Sequence, residues 1–156
     1  MQVEGATTAT ENGEPWVVSY VIGLDPSWRT RTARITRRSR GLAATTLIAA
    51  DGNGTWWVDG VETPLLQGCL DLDLESSAMT NAFPAHRLDL NDDRVTSVPA
   101  AYVRAVGPVV DRWSRPTRAS ARTPTYAAPE FHFACRLVYD EHGLVLDYPG
   151  IATRVN

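Results

Sequence analysis

The sequence predicts an all-β protein: a strongly curved antiparallel sheet forming a roll or an incomplete barrel, with few or no helices. Three observations carry this expectation. Turn dipeptides recur at intervals of roughly 8–15 residues, as in β-sandwiches and barrels. The runs between them are short and rich in Val, Ile, Thr, Tyr and Trp, residues that suit a pleated, half-buried surface. No stretch sustains the 3.6-residue apolar period of an amphipathic helix.

Taken in order, Val3–Thr10 leads into Asn12-Gly13, a favoured pair for a two-residue hairpin turn. Trp16–Leu24 follows and ends at Asp25-Pro26. Thr30–Arg38 alternates loosely and stops near Gly41. Leu42–Ala50 runs into Asp51-Gly52-Asn53-Gly54, and Thr55–Asp59 into Asp59-Gly60. Gln67–Glu75 alternates strictly, with Leu70, Leu72 and Leu74 on one face and Cys69, Asp71 and Asp73 on the other. Val98–Trp113 is the one stretch that reads as a short helix, confined by Pro99, Gly107 and Pro108. Ser114–Pro129, rich in Pro and Arg and without periodicity, reads as a long loop. Phe131–Asp140 alternates again, and Asp140-Glu141-His142-Gly143 turns the chain into Leu144–Tyr148. No linker, repeat or low-complexity tract divides the chain, so residues 1–156 are expected to form one domain.

Charge excludes several functions. All fifteen basic residues are Arg, and with eighteen acids the formal charge is −3. An acidic chain is a poor general nucleic-acid binder, although six Arg crowd between Arg29 and Arg40 with no acid among them. Without Lys there is no Schiff-base chemistry and no phosphate-loop lysine. No apolar run spans a bilayer, and residues 1–15 lack the basic and apolar regions of a secretory signal, so a cytoplasmic location is expected.

Metal and covalent chemistry find little support. Cys69 and Cys135 form no metal-ligand spacing and read as small buried hydrophobes. The Asp71-x-Asp73 pair lacks the further oxygens and the glycine of a calcium loop. No Gly-x-Ser-x-Gly elbow is present, and His86 beside the Cys69 face is the only nucleophile–base pairing that strand geometry leaves open. No cofactor, metal or catalytic residue is assigned.

Binding residues are better candidates. On extended chain Arg29 and Arg31 share a face, as do Asp71 and Asp73; adjoining strands would give two guanidinium–carboxylate pairs. Such pairs brace the sheet or anchor a ligand headgroup. Adjacent Trp56 and Trp57 must point to opposite faces, which puts one of them outside the main core or on a groove wall. Asn81 and Pro84 suit an irregular crossover, with Arg87 free to bond carbonyls or a carboxylate, and Tyr148 before Pro149 is extended.

Four runs together resemble a bacterial family known as the putative glycolipid-binding proteins. They are Asp25-Pro26-Ser27-Trp28-Arg29-Thr30-Arg31, Gly54-Thr55-Trp56-Trp57-Val58-Asp59-Gly60, Gly68–Leu74 continuing through Thr80–Leu88, and Gly143–Gly150. The resemblance implies a curved, mostly antiparallel sheet like that of lipoprotein carriers. Relatives carry additional N-terminal sequence, so this chain is expected to lack one strand. The combined expectation is non-covalent binding of a glycolipid-like or lipid-like molecule in the concavity. Trp28, Arg29, Arg31, Trp57, Asp71, Asp73, Asn81, Arg87 and Tyr148 are the candidate contacts. A module whose hollow is filled by its own side chains is the alternative, and a hydrolase acting on a sugar or acyl substrate is the third reading.

Overall fold

Tight turns lay out the first sheet. The computed structural model describes residues 1–88, 95–106, 110–118, 125–128 and 133–155. In it Asn12-Gly13, Arg40-Gly41 and Asp59-Gly60 all have positive φ, between 50° and 82°. Two left-handed residues in succession make the turn whose twist matches paired strands. These turns join β1 (Gln2–Glu11) to β2 (Glu14–Leu24), β3 (Thr30–Ser39) to β4 (Leu42–Ala50), and β5 (Trp56–Val58) to β6 (Val61–Glu62). The result is a six-stranded antiparallel meander in chain order.

One face of that meander is the core face. Val18, Tyr20, Ile22 and Leu24 on β2 are buried, as are Ala33 and Ile35 on β3 and Ile48 and Ala50 on β4. Trp56 is 1% exposed in the core whereas Trp57, on the opposite face, is half-buried.

A second sheet packs on this face in the order β11-β10-β9-β8-β7. Its strands are β7 (Asp71–Leu74), β8 (Val95–Val103), β9 (Val110–Arg118), β10 (Thr125–Ala128) and β11 (Phe133–Arg136). All its pairings are antiparallel except β7 with β8, which run parallel from Asp71↔Ala100 to Leu74↔Val103. A parallel pair needs a long crossover. That crossover contains a 3-10 turn at Ala78–Asn81 and the helix α1 (Ala82–Arg87). A small third sheet comprises β12 (Val138–Tyr139), β13 (Val145–Tyr148) and β14 (Ala152–Thr153). The whole is an open all-β roll.

Two sequence expectations are corrected. Among the described residues of the segment Val98–Trp113 there is no helix: Val98–Val103 continues β8 and Val110–Trp113 begins β9. Pro99 is tolerated because it precedes the parallel ladder, which starts at Ala100. Much of the expected loop Ser114–Pro129 is strand, in β9 and β10. Residues 119–124 and 129–132, with Phe131 and His132 of the last alternating run, lie outside the described residues.

The core is one cluster to which both large sheets contribute, among them Ile22, Ile35, Trp56, Leu72 and Val103, with Phe83 from α1. Strand β7 is buried on both faces, Asp71 and Asp73 included. It is tied to β3 at Thr30, whose N–H donates to Leu70 O and whose Oγ1 accepts from Leu72 N–H, both at 3.0 Å.

The chain entering β7 needs a close backbone approach. Gly68 N–H donates to Gly54 O at 2.9 Å, and a Cβ on Gly54, at φ 107°, would lie 2.9 Å from Gly68 Cα. Gly54→Ala is therefore expected to destabilise the fold by about 2–3 kcal/mol through strain and overlap, measured by urea unfolding; an unchanged midpoint would refute the close-approach argument.

Candidate functional site

Three loops are built on one plan. In Asp25–Arg29, Asp51–Thr55 and Asp140–Leu144 the Asp Oδ1 accepts backbone N–H groups two and four residues on, at 2.7–3.0 Å. The Asp N–H in turn donates to the carbonyl four residues on. These bonds hold the Asp51 and Asp140 carboxyls below their ordinary range, backbone donors being the main cause. The fourth residue is left-handed in each: Gly54, Gly143, and in the first loop Trp28, at φ 62°. A bulky residue there is strained.

The strained tryptophan has a partner. Trp28 stacks on His86 of α1 with ring centroids 3.5 Å apart and planes within 5°, and lies 6.4 Å from the Phe83 ring. Behind His86 sits Gly143, where a Cβ would come within 3.0 Å of the imidazole. The imidazole thus joins the first and third loops through α1. Burial pushes its pKa down, with the Asp140 carboxylate opposing, and its Nε2 has no hydrogen-bond partner.

The structure brings some predicted residues together and separates others. Arg29 and Arg31 do not pair with Asp71 and Asp73. Strand β3 lies between β2 and β4, while β7 edges the other sheet, so their side chains never face across a ladder. Arg29 Nη1 donates to Gly52 O and Arg31 Nε to Ala50 O, both at 3.0 Å, bracing the second Asp loop. Asp71, 2% exposed, instead forms an ion pair with Arg87 of α1. Asp73 Oδ1 lies 3.1 Å from Thr80 Oγ1, which also accepts from Leu74 N–H. Asn81 Nδ2 donates to Ala78 O, and the Asn81 carbonyl accepts from the Tyr139 hydroxyl. Tyr148 is buried.

Cys69 gains nothing as a nucleophile from this arrangement, and the Cys135 side chain lies outside the described residues. Burial pushes the Cys69 thiol up to about 11, so it is not ionised near neutrality. Among the described residues no group of three His, Cys, Asp or Glu is placed to hold a metal ion.

A feature that can hold a molecule lies elsewhere, between β1, the Ser76–Met79 segment and the third sheet. There a cleft of about 760 Å³ opens. Its apolar wall comes from Ala9, Trp16, Met79, Leu144, Leu146 and Ile151, and its polar groups from Thr7, Glu75, Ser76, Ser77, Thr153 and Arg154. None of the nine predicted contacts lines it. Trp16 and Met79 apart, the apolar lining is small or aliphatic, a composition that carries no chemical signature in a sequence.

Fold and cleft define the class: an open all-β roll with an apolar hollow beside its larger sheet. The chain belongs to the putative glycolipid-binding family, whose model matches residues 1–154. It is similar to the crystal structure of a DUF1089 family protein from Pseudomonas aeruginosa, with a TM-score of 0.87 and 34% identity over 99% of this chain and 86% of that one. No curated protein matches it. No helix among the described residues is long and apolar enough to cross a membrane.

Removing Arg87 takes an ion-pair partner from a buried carboxylate. Arg87→Met is expected to lower stability by about 3 kcal/mol in urea unfolding, and Asp71→Asn in that background to restore part of it. Depression of the His86 pKa adds a pH effect. The unfolded chain takes up this proton first, so stability is intact above about pH 6.5 and lost as pH falls through the folded value. His86→Phe, which keeps the stack, should flatten the decline between pH 7 and 5, leaving the later Asp-loop losses below about pH 4; thermal melts across pH would show it.

Proposed function

We propose that the chain is one domain and binds an amphipathic, lipid-like molecule non-covalently in the cleft between β1 and the third sheet. The observation that carries this reading is the cleft itself: about 760 Å³ with an apolar wall and polar groups along its margin. That volume falls in the range of small-molecule sites, which are typically ~300–1,000 Å³ and mostly apolar. Family membership supports the same reading. Burying an eight-carbon chain would contribute on the order of 6 kcal/mol before ordering costs, enough for useful affinity without covalent chemistry. The competing idea of a hollow filled by the protein's own side chains describes the β7 end, where Trp56, Leu66 and Leu72 are no more than 1% exposed. It does not describe the Trp16 end, where the cleft is open.

The test is to fill the space. N-phenyl-1-naphthylamine, an uncharged apolar fluorophore, is expected to brighten on adding the protein. Ala78→Trp and, at the exposed margin, Ile151→Trp should each weaken that binding by about tenfold or more, equivalent to about 1.4 kcal/mol. Binding that is absent, or indifferent to both substitutions, would remove the cleft from the function.

A further inference from the structure

The outer face of the meander carries few charges for a sheet surface open to water. An antiparallel sheet with one solvated face ordinarily turns polar and charged side chains outward. Strand register sets the outward positions of β1, β2 and β3 in rows. One row holds Glu4, Val21 and Arg34, and the next holds Ala6, Ser19 and Thr36. A third holds Thr8, Val17 and Arg38. Leu47 and Ala43 on β4 extend the first and third rows. Val17, Ala43 and Leu47 are exposed and Val21 is half-buried. A contiguous aliphatic patch on a surface marks a place of contact.

The charges on this face are set out about β2. Glu4 lies one strand to one side of Val21, and Arg34 lies one strand to the other. The two are thus about 10 Å apart across the sheet. Among the described residues neither Arg34 nor Arg38 forms an ion pair. Glu4 accepts from the Gln2 side-chain amide, which carries no charge. An acid and a base held apart within one copy are complementary between two. A two-fold axis along β2 lays β1 of each copy over β3 of the other and keeps every row at its own height. Glu4 of each copy then faces Arg34 of the other, while Val17 and Val21 meet their own counterparts. Arg38 comes over Thr8, whose hydroxyl can accept from it.

The shape of the face suits this stacking. A shallow hollow of about 400 Å³, walled by Glu4, Ser19, Val21 and Arg34, gives the incoming guanidinium room. The crossing of about 30° usual between stacked sheets moves positions one strand from the axis by only about 2.5 Å, within an arginine's reach. Strands β1 to β3 have ten or eleven residues each. Their overlap covers roughly 30 Å by 17 Å, or about 1,000 Å² over two copies, the lower limit for a specific interface. The edge of β1 is a poorer contact for a second copy. Its charges are Glu4 and Glu11, so antiparallel pairing of two such edges gathers like charges. We infer that the outer face of the meander joins two copies of the chain, sheet against sheet, in a symmetric and weakly held dimer.

Sedimentation velocity over protein concentrations from about 1 to 500 μM decides it. The wild-type chain is expected to pass from monomer to dimer across that range. Arg34→Glu and Glu4→Arg, both at exposed positions, should keep the wild-type thermal melt. Each should weaken association about tenfold or more, because each sets like charges face to face. Mixing the two variants in equal amounts makes both cross pairs again, so the mixture should dimerise within about threefold of the wild-type affinity. A chain carrying both substitutions should do the same. A wild-type chain that stays monomeric throughout, reversals that leave association unchanged, or a mixture that fails to recover it would each overturn the inference. Attachment of a monomeric chain to phosphatidylglycerol vesicles, lost in Arg34→Glu, would assign the face to a lipid surface instead.

Discussion

Two buried carboxylates organise this molecule. Asp71 and Asp73 stand on β7, a strand enclosed on both faces, and are 2% and 4% exposed. A buried carboxylate without a partner costs several kcal/mol, so each dictates what must be packed against it. Asp71 draws in Arg87 and with it the end of α1. Asp73 draws in Thr80 and with it the 3-10 turn. The crossover demanded by the parallel β7–β8 pair is thereby folded back onto the roll. That placement puts His86 under Trp28, Phe83 into the core, and Ala78 and Met79 at the cleft.

The first half of the fold was legible because its signals are local. A left-handed pair such as Asn12-Gly13 or Asp59-Gly60 fixes a hairpin, and a hairpin fixes register, so β1 to β6 follow from dipeptides and alternation. Adjacent Trp56 and Trp57 divide between the faces because a strand has a period of two. The second half depends on pairing between distant segments. Val98–Trp113 mixes strand-favouring Val and Tyr with Ala and Arg, and it lacks the strict alternation that marks β7. Only β7 on one side and β9 on the other make its first part a strand.

The candidate site was legible in part for the same reason. The charged residues stood out in the sequence, yet their partners are set by topology. Arg29 and Arg31 turn to the carbonyls of Gly52 and Ala50, because β3 pairs with β2 and β4 and meets the β7 chain through Thr30, whereas Asp71 takes a cation from Arg87 on α1. None of the nine contacts expected from the sequence lines the cleft. A cleft, by contrast, is made by what side chains fail to fill. Small residues leave the space along β1, where the inward positions after Val3 are Gly5, Thr7 and Ala9. Tyr20 occupies the room at Gly5, its hydroxyl reaching Ser77 Oγ at 2.8 Å. Beyond it, at Thr7 and Ala9, the cleft begins.

Trp28 shows how the parts are coupled. The three Asp loops share their hydrogen bonds, and two of them place Gly at the left-handed fourth position, where no strain arises. The first places Trp, accepting backbone strain on the order of 1–3 kcal/mol. What offsets it is the stack on His86, supported from behind by Gly143. Gly143 belongs to the loop whose Asp140 holds Arg154, and that same loop leads into Leu144 and Leu146 of the cleft wall. A strained residue at one end of the roll is therefore linked, through one imidazole, to the wall on which a ligand would rest. Loops anchored this way are rigid, so the wall is set before a ligand arrives, and less ordering remains to be done on binding.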